Sequence, residues 1–269
     1  MLEARDLAYG FPGRTIGAGI SFTVARGEAL CVLGPNGGGK TTLFRTLLGL
    51  LPAHGGTVSV DGREIASLTR REMAKLVGYV PQAHAATFGF SINDIVLMGR
   101  TAHLGALAAP SEADRRVALQ ALQEVGIAHL AERVYTAVSG GERQLTLIAR
   151  ALAQQPQVLI MDEPTSSLDF GNQMRVLEKL RSLALLGIAI VFSTHDPDHA
   201  FVAADRALLL SEGHTLAIGT PQEVVRADTL EALYGIPVRI VPTGDGLAAC
   251  QPAFARGPER PPSHIAPHS

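Results

Sequence analysis

Leu33-Gly34-Pro35-Asn36-Gly37-Gly38-Gly39-Lys40-Thr41-Thr42 is the stretch that decides the fold. Gly34, Gly39, Lys40 and Thr41 satisfy the spacing G-x-x-x-x-G-K-[ST] without a mismatch. Ala29-Leu30-Cys31-Val32-Leu33, just before it, is a short apolar run expected as a buried strand, and Thr41 to Leu48 is expected as the following helix. In that setting the glycines let the loop Gly34-Pro35-Asn36-Gly37-Gly38-Gly39 curl so that several of its backbone N–H groups (Pro35 has none) converge on phosphate oxygens. The helix N-terminus adds the positive end of a dipole. Lys40 is placed to reach the β- and γ-phosphates, with Thr42 beside the loop and the Thr41 hydroxyl suited to hold Mg²⁺. The reading is a nucleoside triphosphate site on an α/β core.

Working outward, Met1 to Glu28 alternates polar and apolar positions, as half-exposed antiparallel strands do. Tyr9 falls on one of these; its ring would either stack on a base or serve as an ordinary strand aromatic. Asp61-Gly62 is a hairpin turn pair after Gly56–Val60. Leu76–Val80 is expected as a second core strand, followed by Pro81 and Gln82. From Ala83 to Leu107 no period is evident, after which Ser111 with Asp114 caps a helix carrying Val117, Ala121, Leu122 and Val125 on one stripe. A helical subdomain is therefore expected at about 83–155, inserted in the core.

Ser139-Gly140-Gly141-Glu142 opens a helix striped by Leu145, Ile148, Ala149 and Leu152. Bare N–H groups and a dipole make such a tip an anion site, although serine is also a common cap. Val158-Leu159-Ile160-Met161 is a buried strand ending in Asp162-Glu163, at the sheet edge where open α/β folds bind ligands. Neighbouring strand residues point oppositely, so the acids are expected to divide labour. Asp162 would share the Mg²⁺ with Thr41, and Glu163 would orient and deprotonate the attacking water. His195, one of nine histidines, follows the strand Ile188–Phe192 at the same edge. Ala207–Leu210 and Thr215–Ile218 form a closing hairpin, and Thr220-Pro221-Gln222-Glu223 opens the last helix. From Thr243 to Ser269 the sequence lacks any period, so 1–242 is expected as the folded unit and 243–269 as a disordered tail.

The composition excludes several classes. With 269 residues, 46% hydrophobic and a formal net charge of −2, there is no basic excess to recruit nucleic acid or an anionic membrane. Two cysteines, Cys31 and Cys250, supply neither a disulfide framework nor a C-x-x-C motif. No signal segment is evident at the N-terminus, and the longest apolar run, Leu183 to Phe192, is about half the ~20 residues a membrane helix needs.

The phosphate loop, Ser139-Gly140-Gly141-Glu142, Met161-Asp162-Glu163-Pro164, Ser167-Leu168-Asp169 and Thr194-His195-Asp196 occur in the order found in ATP-binding cassette (ABC) ATPases, and residues 1 to 235 resemble that family. The resemblance implies a P-loop NTPase core with an N-terminal antiparallel β subdomain and an inserted helical signature subdomain. It implies ATP and Mg²⁺ as cofactors. Tyr9 resembles the adenine-stacking aromatic, Gln82 the glutamine sensing Mg²⁺ and water, Glu163 the catalytic base, His195 the switch histidine and Asp169 the aspartate that communicates between subunits. In the family the Ser-Gly-Gly of one subunit closes over ATP held by the other, which implies a dimer of two copies sharing two sites. Val138 and Glu142 depart from the family's usual Leu and Gln; an acid in the first helical turn is compatible with the dipole, so activity is expected to survive.

Phe90–Arg100 and His103-Leu104-Gly105 look like the importers of metal chelates (iron siderophores, haem, cobalamin), while Ser166–Gln173 is similar to molybdate- and tungstate-importing relatives. These resemblances imply a polytopic permease as partner, an extracytoplasmic binding protein acting indirectly, and a place on the cytoplasmic face of the plasma membrane. The region after Gln82 is then the expected permease contact. A soluble assembly ATPase without a permease is the rival from another class.

Overall fold

In the computed structural model the described residues are 1–82, 89–105, 108–244 and 247–253. The chain opens with β1 (Leu2–Phe11) and β2 (Arg14–Val24), passes through β3 (Ala29–Leu33) into α1 (Lys40–Leu47), and returns along β4 (Gly55–Val60) and β5 (Arg63–Glu64). Helix α2 (Arg70–Leu76) leads to β6 (Val77–Val80), then come α3 (Ile92–Leu97), α4 (Glu112–Val125) and α5 (Gly140–Leu152). Next are β7 (Val158–Met161), α6 (Phe170–Leu185), β8 (Ala189–Thr194), α7 (Asp198–Ala203), β9 (Arg206–Ser211) and β10 (His214–Gly219). The last elements are α8 (Pro221–Val224), α9 (Ala227–Tyr234), β11 (Val238–Gly244) and β12 (Leu247–Pro252).

The alternating N-terminal segment forms an antiparallel sheet in the order β2-β1-β4-β5, and the apolar runs form a second sheet, β10-β9-β3-β8-β7-β6. Its pairs from β9 to β6 are parallel, and β10 adds antiparallel to β9. A parallel sheet needs cover on both faces, and the side-chain period of two divides this one accordingly. Cys31, Leu33, Leu159, Met161 and Phe192 face a core built with α3 to α9. Leu30, Val32, Val158, Ile160 and Val191 face a second core shared with α1 and the antiparallel sheet. Gly99 lets the turn after α3 lie against α5, since a Cβ there would stand 2.1 Å from the Arg150 carbonyl oxygen. Among the described residues no helix is long and apolar enough to cross a membrane.

The caps of α4 and α5 at Ser111 and Ser139 form as the spacing predicts. Ser91 and Asp94 make the same reciprocal cap on α3, a signal present in the stretch where no period was expected. Residues 83–88 and 106–107 of the expected helical insertion lie outside the described residues.

Two expectations are corrected. The segment opened by Pro221 is two helices, because α8 stops at Val224 and Arg226 starts α9. The tail expected to be disordered from Thr243 is paired as far as Pro252, so the boundary at 242/243 falls inside the β11–β12 hairpin. One face of that hairpin (Val238, Ile240, Ala248, Cys250) packs on the core, and apolar burial supplies order that sequence period did not announce. Residues 254–269 lie outside the described residues.

Candidate functional site

Parallel register gathers the chemistry at one edge. Leu33 pairs with Thr194, Met161 with Phe192, and Val80 with Met161. The loops leaving β3, β6, β7 and β8 therefore emerge together, carrying Lys40, Gln82, Asp162-Glu163 and His195. A cavity of about 420 Å³ opens there, its wall including Asn36, Gly39, Lys40, Thr41, Gln82 and Glu163. Gly37 and Thr42 also line it.

The loop is built for close backbone approach. Gly34 sits where a Cβ would be 2.5 Å from the Leu210 carbonyl oxygen, and Gly39 has φ +93°, a conformation that disfavours other residues. No acidic residue occupies the first turn of α1, which leaves its N-terminal dipole unopposed from within the helix. Lys40 is buried; its Nζ donates to the carbonyl oxygens of Gly34 (2.8 Å) and Pro35 (3.0 Å) and lies 3.3 Å from Glu163 Oε1. Glu163 Oε2 lies 3.5 Å from His195 Nδ1, so one carboxylate spans the loop lysine and the histidine.

The two acids have different partners. Asp162 is buried and its Oδ1 accepts from the Ser193 hydroxyl at 2.7 Å, while the Glu163 N–H donates to the same Ser193 oxygen at 2.9 Å. Glu163 adopts φ +46°, which turns its side chain off the strand direction and toward Lys40. Hard oxygen donors from Thr41, Gln82 and Asp162 match the preference of Mg²⁺.

Tyr9 does not face the cavity. It is fully buried beneath the loop, and a Cβ on Gly39 would lie 3.0 Å from its hydroxyl oxygen. Burial pushes that hydroxyl's pKa up to about 12. Tyr9 shares the core face of β1 with Leu7, and the register shift between Tyr9 and Gly10 then turns Phe11 outward. Among the described residues, the aromatic that lines the cavity is Phe11, 41% exposed, with Ile16 also in its wall. The alternating pattern marked β1 as half-exposed but carried no signal for the shift.

Ser139 and Gly140 lie exposed at the tip of α5, and neither lines the phosphate-loop cavity of its own chain. Gly141 is buried against α6, where a Cβ would meet Asn172 Oδ1 at 2.4 Å. Asp169 caps α6, accepting from the Asn172 N–H at 2.9 Å, and this bond holds its carboxyl below the usual range. Signature tip and Asp169 are thus presented side by side. Glu142 completes a reciprocal cap: its Oε2 accepts from the Ser139 hydroxyl and N–H, each at 2.7 Å, which lowers its pKa.

Sequence reasoning missed His199. It is buried on α7, with Nδ1 3.0 Å from Thr194 Oγ1 and 3.4 Å from Thr165 Oγ1, and Nε2 3.4 Å from Asp196 Oδ2. Burial is the main cause lowering its pKa, reinforced by His195 and opposed by Asp196 and Asp198. A depressed histidine pKa means the unfolded chain takes up the proton first, so stability is full above about pH 6.5 and declines as pH falls below it. Thermal melts at pH 7.5 and 5.5 should show a larger acid-induced drop for the natural chain than for His199→Gln. Equal drops would assign the acid sensitivity elsewhere.

Comparison with known proteins agrees with this geometry. A family model described as ABC transporter matches residues 18–166. An ABC transporter ATP-binding protein of Haemophilus influenzae is 46% identical over 234 residues, covering 87% of this chain and 89% of the relative. The hemin import ATP-binding protein HmuV of Gloeobacter violaceus is 38% identical over 90% of each chain. The molybdate import ATP-binding protein MolC of H. influenzae is also 38% identical, over 81% of each. Among solved structures, a metal-chelate type ABC transporter in an inward-facing conformation superposes with a TM-score of 0.83 at 34% identity, covering 94% of this chain and 97% of that one. A phosphate loop, an acid pair and a histidine on one parallel-sheet edge, with a signature helix tip set apart from them, place this chain in the ABC transporter family as an ATP-hydrolysing cassette.

Proposed function

We propose that two copies of this chain bind two ATP molecules between them and drive import of a metal chelate, of the iron-siderophore or haem type, through a membrane permease. The observation that carries the two-copy reading is the separation of Ser139 from its own phosphate-loop cavity. A nucleotide held by Lys40 meets a signature serine only if a second chain supplies it. The import reading rests on the relatives and on the segment after Gln82.

In the closed pair, loop N–H groups and Lys40 hold the β- and γ-phosphates, and the partner copy's Ser139 hydroxyl and N–H approach the γ-phosphate. Glu142 must then swing off Ser139, since its carboxylate and the γ-phosphate are both anions competing for the Ser139 hydroxyl and N–H. Mg²⁺ held by Thr41, Gln82 and Asp162 would neutralise phosphate charge. Glu163 accepts a proton from water as its oxygen attacks the γ-phosphorus, and the bond to the β–γ bridging oxygen breaks. His195, beside Glu163, hydrogen-bonds the γ-phosphate, and its loss on hydrolysis lets the pair reopen. Asp169, next to the signature tip, faces the second copy.

Phe11 serves as the platform for the adenine. Base stacking on an aromatic side chain is worth about 1–3 kcal/mol. Phe11→Ala should therefore weaken ATP binding about tenfold, measured by calorimetry, while Tyr9→Phe should leave affinity unchanged. The reverse ranking would restore Tyr9 to that role.

The permease contact is assigned to the wall of α2 and the segment beyond Gln82. Arg71 donates to the carbonyl oxygens of Ala102 (2.9 Å) and Leu104 (2.8 Å), joining the two. A groove of about 330 Å³ runs along this wall past Leu50 and Met73, and Phe90 and Met98 are exposed nearby in sequence. The chain would then sit at the cytoplasmic face of the membrane, with an extracytoplasmic binding protein acting indirectly. A molybdate cargo is the second reading, favoured by the likeness to MolC. Co-expression with candidate permeases and uptake into proteoliposomes tests both. Copurification with ATP-dependent uptake of a ferric chelate is expected; uptake of molybdate alone would select the second reading, and no permease companion would overturn import.

A further inference from the structure

The loop that carries His195 is held from outside the catalytic edge by the C-terminal segment. Tyr234, the last residue of α9, donates its hydroxyl hydrogen to the His195 carbonyl oxygen at 2.9 Å. Sixteen positions on, the Cys250 N–H of β12 donates to Asp198 Oδ1 at 2.7 Å. Within the loop, the Asp198 N–H donates to Asp196 Oδ1 and the Asp196 N–H to Thr194 Oγ1, each at 3.0 Å. The contacts therefore run unbroken from the hairpin through Asp198 and Asp196 to the end of β8. The imidazole of His195 faces the other way, 3.5 Å from Glu163.

Burial raises the Tyr234 hydroxyl well above its ordinary range, which keeps the proton on the oxygen that must donate. The hairpin is seated by its core-facing residues Val238, Ile240, Ala248 and Cys250, with Ile240 and Cys250 directly paired. Gly235, with φ +72°, ends α9 and turns the chain into that hairpin. Both holding points thus belong to one packed unit, anchored independently of the phosphate loop.

We propose that Tyr234 and the strands β11 and β12 form a clamp on the switch loop, with Tyr234 as the positioning residue that sets where His195 stands relative to Glu163 and the γ-phosphate. The inference rests on His195 acting in hydrolysis. Tyr234 acts on the rate through His195 and has no part in holding ATP. The clamp also gives the C-terminal segment a route to alter turnover from a surface remote from the nucleotide.

The test uses the full chain and Mg-ATP. Tyr234→Phe removes one hydroxyl and keeps the ring. It should lower kcat about fivefold, the effect of one lost hydrogen bond, with KM for ATP unchanged and the melting temperature lower by no more than a few degrees. Asp198→Ala, which frees the Cys250 amide, should act in the same direction. In a His195→Ala background, Tyr234→Phe should cause no further loss, because the two residues act as one unit. A natural kcat in Tyr234→Phe, a joint change of KM and melting temperature, or additive losses in the double variant would each overturn the clamp while leaving the catalytic site intact. A His195→Ala chain with natural turnover would overturn the role of His195, and the clamp with it.

Discussion

Glu163→Gln should lower ATP turnover by about 10²–10⁴-fold, the range for loss of a general base, while ATP still binds. Its two carboxylate oxygens are engaged differently: Oε1 lies 3.3 Å from Lys40 Nζ and Oε2 3.5 Å from His195 Nδ1. Glutamine keeps the shape and an acceptor oxygen but cannot take the proton of water. The γ-phosphate then persists, and with it every contact that exists only when two chains share the nucleotide. A free-energy difference of that kind shifts the open–closed balance toward the pair. Size-exclusion chromatography with light scattering in Mg-ATP should therefore show a dimer for Glu163→Gln and reopening after ATP is removed. Turnover at the natural rate would reassign the base, and a strictly monomeric variant would sink the shared-site reading.

Lys40→Met should abolish usable ATP binding, lowering affinity about a hundredfold. Hydrogen bonds to a charged group contribute about 1.5–3 kcal/mol each, and the ammonium group would make such contacts to phosphate. The buried Nζ also ties the loop to itself through the Gly34 and Pro35 carbonyls; without it the Gly34 carbonyl loses its donor, while Pro35 keeps the Gly38 N–H at 3.1 Å. Methionine fills similar space, so lost charge and lost loop bonds dominate over lost volume. Binding of a fluorescent ATP analogue measures the effect. A circular dichroism spectrum like that of the natural chain would place the loss at the site, and retained affinity would remove Lys40 from the phosphate contacts.

Much of the site was legible because its signals are local. The phosphate loop, the acid pair after Val158–Met161 and the Ser139 cap each need only a few adjacent residues and a neighbouring strand or helix. That Asp162 and Glu163 face different surroundings was expected from strand alternation, although their actual partners, Ser193 against Lys40 and His195, required the register of β7 on β8. His199 was not legible, because its partners Thr165 and Thr194 converge only once β8 and the loop after β7 lie side by side.

Local spacing was enough to specify a phosphate loop on an α/β core, a strand-end acid pair and a glycine-led helix start. These depend on covalent spacing and on which residues tolerate water. The tertiary structure alone decided that Phe11 rather than Tyr9 lines the cavity, since a register shift between them turns Phe11 off the core face that Leu7 and Tyr9 share. It alone set Ser139 apart from its own Lys40 and laid β12 against α7. Such outcomes turn on which distant surfaces meet, and contact between surfaces far apart along the chain leaves no period in the sequence of either.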